Sequence, residues 1–343
     1  MRKLSIWLII AVFAVAMTLT GIGCKEEAVE EVMEEEFAFD ELTIGYVMPY
    51  LEGWFYYWDV GWNVIMDYYG VETTTILTYW EAEAELQAVR DFITLGVDAI
   101  SLESANPDTA SIAVKEANAA GIPIMIDSAS LASGGDVYLD ISFDYGAIGK
   151  LGGEKIAELW PGSKVIHLAG IAGFLPTDAQ DDALYATAEE TGGYEMVGTE
   201  YTQYSMETAL NTMRDIVQSG KEFDVVFATT QEAGEATIEA FKQAGILGEK
   251  IVLSVNYGPL DVENLAEGEL DNCIGQSVGL HSMVAGAITL NHLQGIEPFS
   301  KVINMPFQWL TQENHAAEGI PWDVDDSWIP VAEKYAETGV LEY

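Results

Sequence analysis

The chain has 343 residues, with 56 Asp and Glu against 14 Lys and Arg, for a formal charge of −42. A polyanion of this kind repels nucleic-acid phosphates, which excludes a nucleic-acid partner, and it is best tolerated where salt screens its self-repulsion. The roughly 300 residues beyond the N-terminal segments are enough for two α/β domains, each with its own core.

In chain order, Arg2 and Lys3 precede an uncharged apolar run over 4–19, the pattern of an export signal rather than of a spanning helix. The run ends in Thr20-Gly-Ile-Gly-Cys24, which resembles a bacterial lipobox and implies a lipid anchor on Cys24, although Gly21 stands where that motif usually has Leu. Ordinary cleavage near Gly23, leaving a free thiol, is the other reading, and mass spectrometry of the mature N-terminus separates the two. Residues 25–41 carry nine Asp or Glu and one Lys without Gly or Pro, which suits a solvated tether over 24–41. The second cysteine, Cys273, sits in an apolar-flanked run and reads as a buried free thiol, with no partner for a disulfide and no spacing for a metal site.

Short β-rich runs then alternate with helical stretches, at 42–47, 73–78, 97–102, 122–126 and 137–141, and again at 164–168, 195–199, 224–228, 250–254 and 272–276. Strand and helix in alternation predict parallel sheets, and two series predict two doubly wound α/β lobes. Helical spacing predicts crossover helices over 81–95 and 206–219, the latter stopped by Gly220. In open sheets of this kind the ligand lies beyond the carboxyl ends of the strands, so the residues just after each strand are the ones to watch.

The stretch Val114-Lys-Glu-Ala-Asn-Ala-Ala-Gly-Ile-Pro-Ile-Met-Ile-Asp-Ser resembles the periplasmic sugar-binding proteins of the ribose- and galactose-binding class. Leu95-Gly-Val-Asp-Ala-Ile, the segment 144–150, Asp224-Val-Val-Phe-Ala, and Ala266-Glu-Gly-Glu-Leu followed by Ile274-Gly-Gln276 extend the likeness over 42–315. The resemblance implies a type I binding fold whose lobes are joined by three crossovers, near Phe143, Ser277 and Pro306, and shut on a ligand by hinge motion. The lobes are then 42–143 plus 277–305 and 144–276 plus 306–343, with the tail from Pro321 to Tyr343 packing as an extra helix. It further implies a monomer that hands a neutral monosaccharide or polyol to an ABC permease, with no cofactor and with the membrane reached only through the lipid anchor. A sensory protein presenting its ligand to a chemoreceptor or sensor kinase has the same fold and stays open as an alternative.

Carried over position by position, the resemblance puts Asp127 on the acid that accepts hydrogen bonds from sugar hydroxyls, a helix N-cap being its structural alternative. Gln276 falls on the family's glutamine at the last crossover, while Asn256 replaces its usual aspartate and Thr230 and Gln231 stand where an asparagine and an aspartate are common, so the pocket stays polar but loses charge. Trp54 and Phe55 stand where the family has sugar-stacking aromatics, while Trp58, Trp62 and Ile65 continue at helical spacing and read as core. Tyr50, Glu52 and Phe174 are further candidates; Ser128 stands where the family often has arginine, and Asp182 or Gln180 lies where it has another. Besides Arg2 only Arg90 and Arg214 exist, both on solvated helix faces, so the cleft lacks the usual partner of carboxylates and phosphates. That leaves neutral polyols, or a cationic or aromatic solute, as ligands.

Enzyme signatures are missing. His167, His281, His292 and His315 are scattered, no nucleophile elbow occurs, and Gly146-Ala-Ile-Gly-Lys-Leu has the wrong spacing for a phosphate loop and reads as a helix start.

Overall fold

The computed structural model describes residues 37–128 and 131–343. The export signal, Cys24 and most of the acidic tether lie outside the described residues. The end of the tether is not a solvated strand of chain: Phe39–Glu41 form a 3-10 turn, and the Phe39 ring packs 4.8 Å from that of Tyr69. An aromatic side chain beside an apolar helix face gains more from burial than the flanking acids lose.

The first half of the chain builds β1 (Thr43–Met48), α1 (Gly53–Tyr69), β2 (Glu72–Leu77), α2 (Ala82–Leu95), β3 (Ala99–Glu103), α3 (Pro107–Ala120), β4 (Ile124–Asp127) and β5 (Leu139–Phe143). There follow α4 (Tyr145–Leu159), β6 (Ser163–Ala169), α5 (Leu175–Thr191), β7 (Tyr194–Tyr201), α6 (Met206–Ser219), β8 (Val225–Ala228), α7 (Gln231–Ala244), β9 (Ile251–Asn256), α8 (Pro259–Glu267) and β10 (Asn272–Gly275). The chain closes with α9 (Val278–Leu293), β11 (Val302–Met305), β12 (Gln308–Thr311), α10 (His315–Glu318) and α11 (Ile329–Thr338).

Two sheets result, ordered β11-β5-β4-β3-β1-β2 and β12-β10-β9-β8-β6-β7. The first is parallel throughout, and in the second only β12 runs antiparallel, against β10. β3 and β4 are buried at every residue because helices cover both faces, which is why they are mostly apolar, interrupted only by Ser101 and closed by Glu103 and Asp127. All ten strand runs of the sequence form strands, and α6 ends at Gly220 with φ +72°, a conformation that favours glycine. The chain passes between sheets after β5, after β10 and between β11 and β12.

α9 is buried on every face from Val278 to Leu290. It lies against α1, α11 and β5, so no face meets water and its sequence is apolar all round. The α1–α9 approach is so close that a Cβ on Gly61 would sit 2.2 Å from the Gly279 carbonyl oxygen, and one on Gly286 would sit 2.4 Å from Ile65. This contact fixes the helix whose first turn carries Trp54 and Phe55. The tail departs from the lobe assignment 306–343: α11 packs on α9, and Tyr69 of α1 donates a hydrogen bond to Glu333, which ties it to the first lobe. Ile329, Ala332, Tyr335 and Ala336 form its buried stripe.

Candidate functional site

The carboxyl ends of both sheets face each other across a cavity of about 270 Å³. On the first-lobe side it is lined by Tyr50, Glu52, Gly53, Trp54, Phe55, Trp80, Glu103 and Ser128. Across from them stand Tyr145, Phe174, Pro176, Gln180, Tyr204, Thr229, Thr230, Glu232 and Asn256, with Gln276 at a crossover. The lobes meet around it. Trp80 and Phe174 rings lie 5.7 Å apart, Ser128 Oγ is 3.1 Å from Tyr145 Oη, and a Cβ on Gly53 would come 3.3 Å from Glu232 Oε1.

The aromatic wall is held by its own edges. Tyr50 and Trp80 each meet Phe55 edge-on, at 5.0 and 5.7 Å, and Trp54 meets Trp322 edge-on at 5.3 Å. Trp322 comes from the tail and does not line the cavity, yet its Nε1 donates to the backbone oxygens of Gln276 (2.6 Å) and Asn256 (3.0 Å). It thereby pins two lining residues from behind. Three lining residues hold a left-handed backbone that non-glycine residues rarely adopt: Trp80 at φ 61°, Ser128 at 47° and Asn256 at 114°. All lie at or just beyond strand ends, where such strain, about 1–3 kcal/mol each, aims side chains at a site.

Polar groups without a partner mark where a ligand belongs. Glu103 Oε2, Gln180 Oε1 and Gln276 Nε2 are buried and make no hydrogen bond among the described residues, and all three residues line the cavity. Leaving such an atom unpaired costs about 1–3 kcal/mol, a cost that a bound polar ligand removes. Burial, reinforced by the charges of Asp127 and Glu85, pushes the Glu103 carboxyl well above the usual range. Burial likewise raises the Tyr145 and Tyr204 hydroxyls, so both stay protonated donors.

The sequence candidates divide. Tyr50, Glu52, Trp54, Phe55, Ser128, Phe174, Thr230, Asn256 and Gln276 meet on this one cavity. Asp127 does not line it: it accepts from Trp58 Nε1 and from Ser128 Oγ (3.0 Å), and lies 3.3 Å from His281 Nε2 without hydrogen-bonding geometry. It is no helix cap either, being the last residue of β4; its carboxylate orients Ser128 and the core-facing Trp58. Gln231 also turns away, accepting from Leu260 N–H (3.1 Å) and donating to Glu232 Oε1 (3.2 Å), so that it steadies its neighbour. Asp182 is exposed on α5, because Gln180 takes the cleft-facing position and a residue two further along a helix points elsewhere. Thr230 lines the cavity while its Oγ1 accepts from Ala233 N–H as the cap of α7, which leaves its own proton to offer.

Gly53, Trp80, Glu103, Tyr145, Pro176, Gln180, Tyr204, Thr229 and Glu232 complete the lining. The rule of watching strand ends reaches Trp80 and Glu103, which follow or close β2 and β3, and Tyr204, which follows β7. His167 is structural: buried, it links Asp181 (2.7 Å) to Thr229 (2.8 Å) and so braces a lining hydroxyl.

A family profile described as the periplasmic binding protein domain matches residues 44–297. The ribose import binding protein of Bacillus subtilis is 25% identical over 236 residues, 68% of this chain and 75% of that protein. That of Salmonella typhimurium is 27% identical over 193 residues, 56% of this chain and 64% of that protein. Among solved structures, an ABC transporter solute-binding protein from Bacillus halodurans with bound myo-inositol has a TM-score of 0.75 at 22% identity, covering 82% of this chain and 97% of that one. One from Burkholderia graminis in complex with D-arabinose has a TM-score of 0.76 at 16% identity, covering 83% and 100%. At such identities the structures speak for the fold, the two-lobed type I arrangement described above. The chain therefore belongs to the periplasmic binding protein family, whose members are extracytoplasmic binding proteins rather than enzymes, and it has the two-lobed type I fold.

Proposed function

We propose that the protein binds a single sugar or sugar-like polyol ring in the interlobe cleft and delivers it to an ABC permease, anchored to a membrane through lipidated Cys24. The observation that carries this reading is the convergence of Glu103 Oε2, Gln180 Oε1 and Gln276 Nε2, all buried and unpaired, on a cavity walled by aromatic rings. Unpaired acceptors and a donor on lining residues match hydroxyls, which both donate and accept, and Trp54, Phe55 and Phe174 add aromatic rings of the kind that stack on a sugar. At about 270 Å³ the cavity lies just below the ~300–1,000 Å³ of drug-sized pockets, room for one ring rather than a chain. Lobes that move about the crossings near Phe143, Ser277 and Pro306 would admit and trap it. The import role named for the ribose-binding relatives supports transport over sensing.

A thermal-shift screen of the mature chain against pentoses, hexoses, cyclitols, nucleosides and amines tests the reading, since a ligand of the folded form raises its melting temperature. A hit among ring polyols that disappears in Trp54→Ala supports it. Hits confined to linear or aromatic solutes, or untouched by Trp54→Ala, would sink it.

A further inference from the structure

We propose that the solute bound in this cleft is a cationic polyol, a sugar- or cyclitol-sized ring bearing a protonated amine, with its ammonium group held by Glu103 against the aromatic wall. This deepens the reading above and rests on it.

Three observations converge. The cavity lining contains three carboxylates, Glu52, Glu103 and Glu232, and among the described residues that line it there is no Lys, Arg or His. Glu103 is 3% exposed and its Oε2 has no hydrogen-bond partner among the described residues, so the most buried of the three carboxylates lacks a protein counterpart at that atom. The same cavity carries the rings of Tyr50, Trp54, Phe55, Trp80, Tyr145, Phe174 and Tyr204, whose faces attract a cation as well as a sugar's apolar side.

A positive group beside a buried carboxylate favours its charged form, and no cation acts on Glu103 among the described residues. His281 lies 3.3 Å from Asp127 instead, and burial lowers its pKa. The groups facing Glu103 are Asp127 of β4, Glu85 of α2, and the hydroxyls of Tyr46, Tyr50, Tyr145 and Tyr204, every one of them neutral or negative. With the cleft empty, burial and these neighbours favour the protonated form of Glu103. An ammonium ligand displaces the proton to solvent and pairs with the carboxylate left behind; a neutral polyol leaves the proton where it is.

Calorimetric titrations of the mature chain with D-glucosamine, D-galactosamine and an inosamine, each beside its hydroxyl counterpart and its N-acetyl derivative, test this. The expected result is at least about tenfold tighter binding for an amine than for its uncharged counterparts. Binding in two buffers of different ionisation enthalpy should report release of a proton with the amine and none with the neutral sugar. With the amine kept fully protonated, its affinity should fall as pH is lowered from about 6.5 to about 5, because each binding event must release the Glu103 proton. Glu103→Gln should abolish the amine preference, its melting curve establishing that it is folded, and the wild-type proton release stands independently of that variant. Neutral sugars binding as tightly as amines, or amine binding without proton release, would overturn the proposal while leaving the polyol reading intact. Binding by neither class would overturn both.

Discussion

Replacing Trp322 should disturb the cleft from a residue that never enters it. The indole is 2% exposed, meets Trp54 and Tyr57 edge-on at 5.3 and 5.6 Å, and donates through one N–H to two backbone oxygens. Trp322→Phe keeps most of the ring but withdraws the donor from the Asn256 and Gln276 carbonyls. Asn256 O keeps a bond from Gln276 N–H (2.8 Å), so the loss should fall in the lower part of the ~1–3 kcal/mol range for a buried unpaired acceptor. Trp322→Ala adds a cavity and should cost ~3–5 kcal/mol, in line with other buried Trp deletions. Urea unfolding followed by circular dichroism measures both. Ligand affinity should drop in Trp322→Phe more than in a Phe substitution at Trp328, whose half-buried ring meets Tyr343 and does not line the cavity. Unchanged stability and unchanged affinity in Trp322→Phe would refute the claim that the tail positions the site.

Three further outcomes follow from the packing and the buried acids. Gly61→Ala forces a methyl to within 2.2 Å of the Gly279 carbonyl oxygen and should destabilise by at least ~1–3 kcal/mol, read from the urea midpoint. Burial raises Asp140 to about 6 and Asp261 to about 7, so the folded protein binds protons that the unfolded chain has released. Their stabilisation is fully present below about pH 4 and is lost as pH rises towards 7, so unliganded melting temperature should fall over that window, less steeply in Asp261→Asn. Asp127→Ala should weaken ligand binding through Ser128 and also lower stability, because it strands the Trp58 N–H; an affinity loss with unaltered stability would instead make Asp127 a direct contact.

The architecture was legible because buried parallel strands advertise themselves. The run at 122–126 is apolar throughout and that at 97–102 is broken only by Asp98 and Ser101, in keeping with helices on both faces of β3 and β4. β11 and β12 were not anticipated as strands: each has four residues, with exposed or half-exposed positions between the buried ones, too little signal to separate from loop. Among the residues singled out in the sequence that line the cavity, Trp54 and Phe55 lie in the first turn of α1, and Asn256 and Gln276 at or just after strand ends. Glu103 was overlooked in favour of Asp127, its register partner on the adjacent strand. One strand end faces the cavity and its neighbour faces Trp58 and His281, a distinction of side-chain direction that residue order does not encode. Trp322 shows the same limit over a longer distance, since nothing in the tail's sequence reports that it folds back behind residues 256 and 276.

The most direct test of the account is a crystal structure of the mature chain with the tightest ligand from the screen. The account predicts one ring between the lobes, stacked on Trp54 or Phe55, with Glu103 Oε2, Gln180 Oε1 and Gln276 Nε2 all within hydrogen-bonding distance of it. A ligand seated elsewhere, or one that leaves those three atoms unpaired, would contradict it.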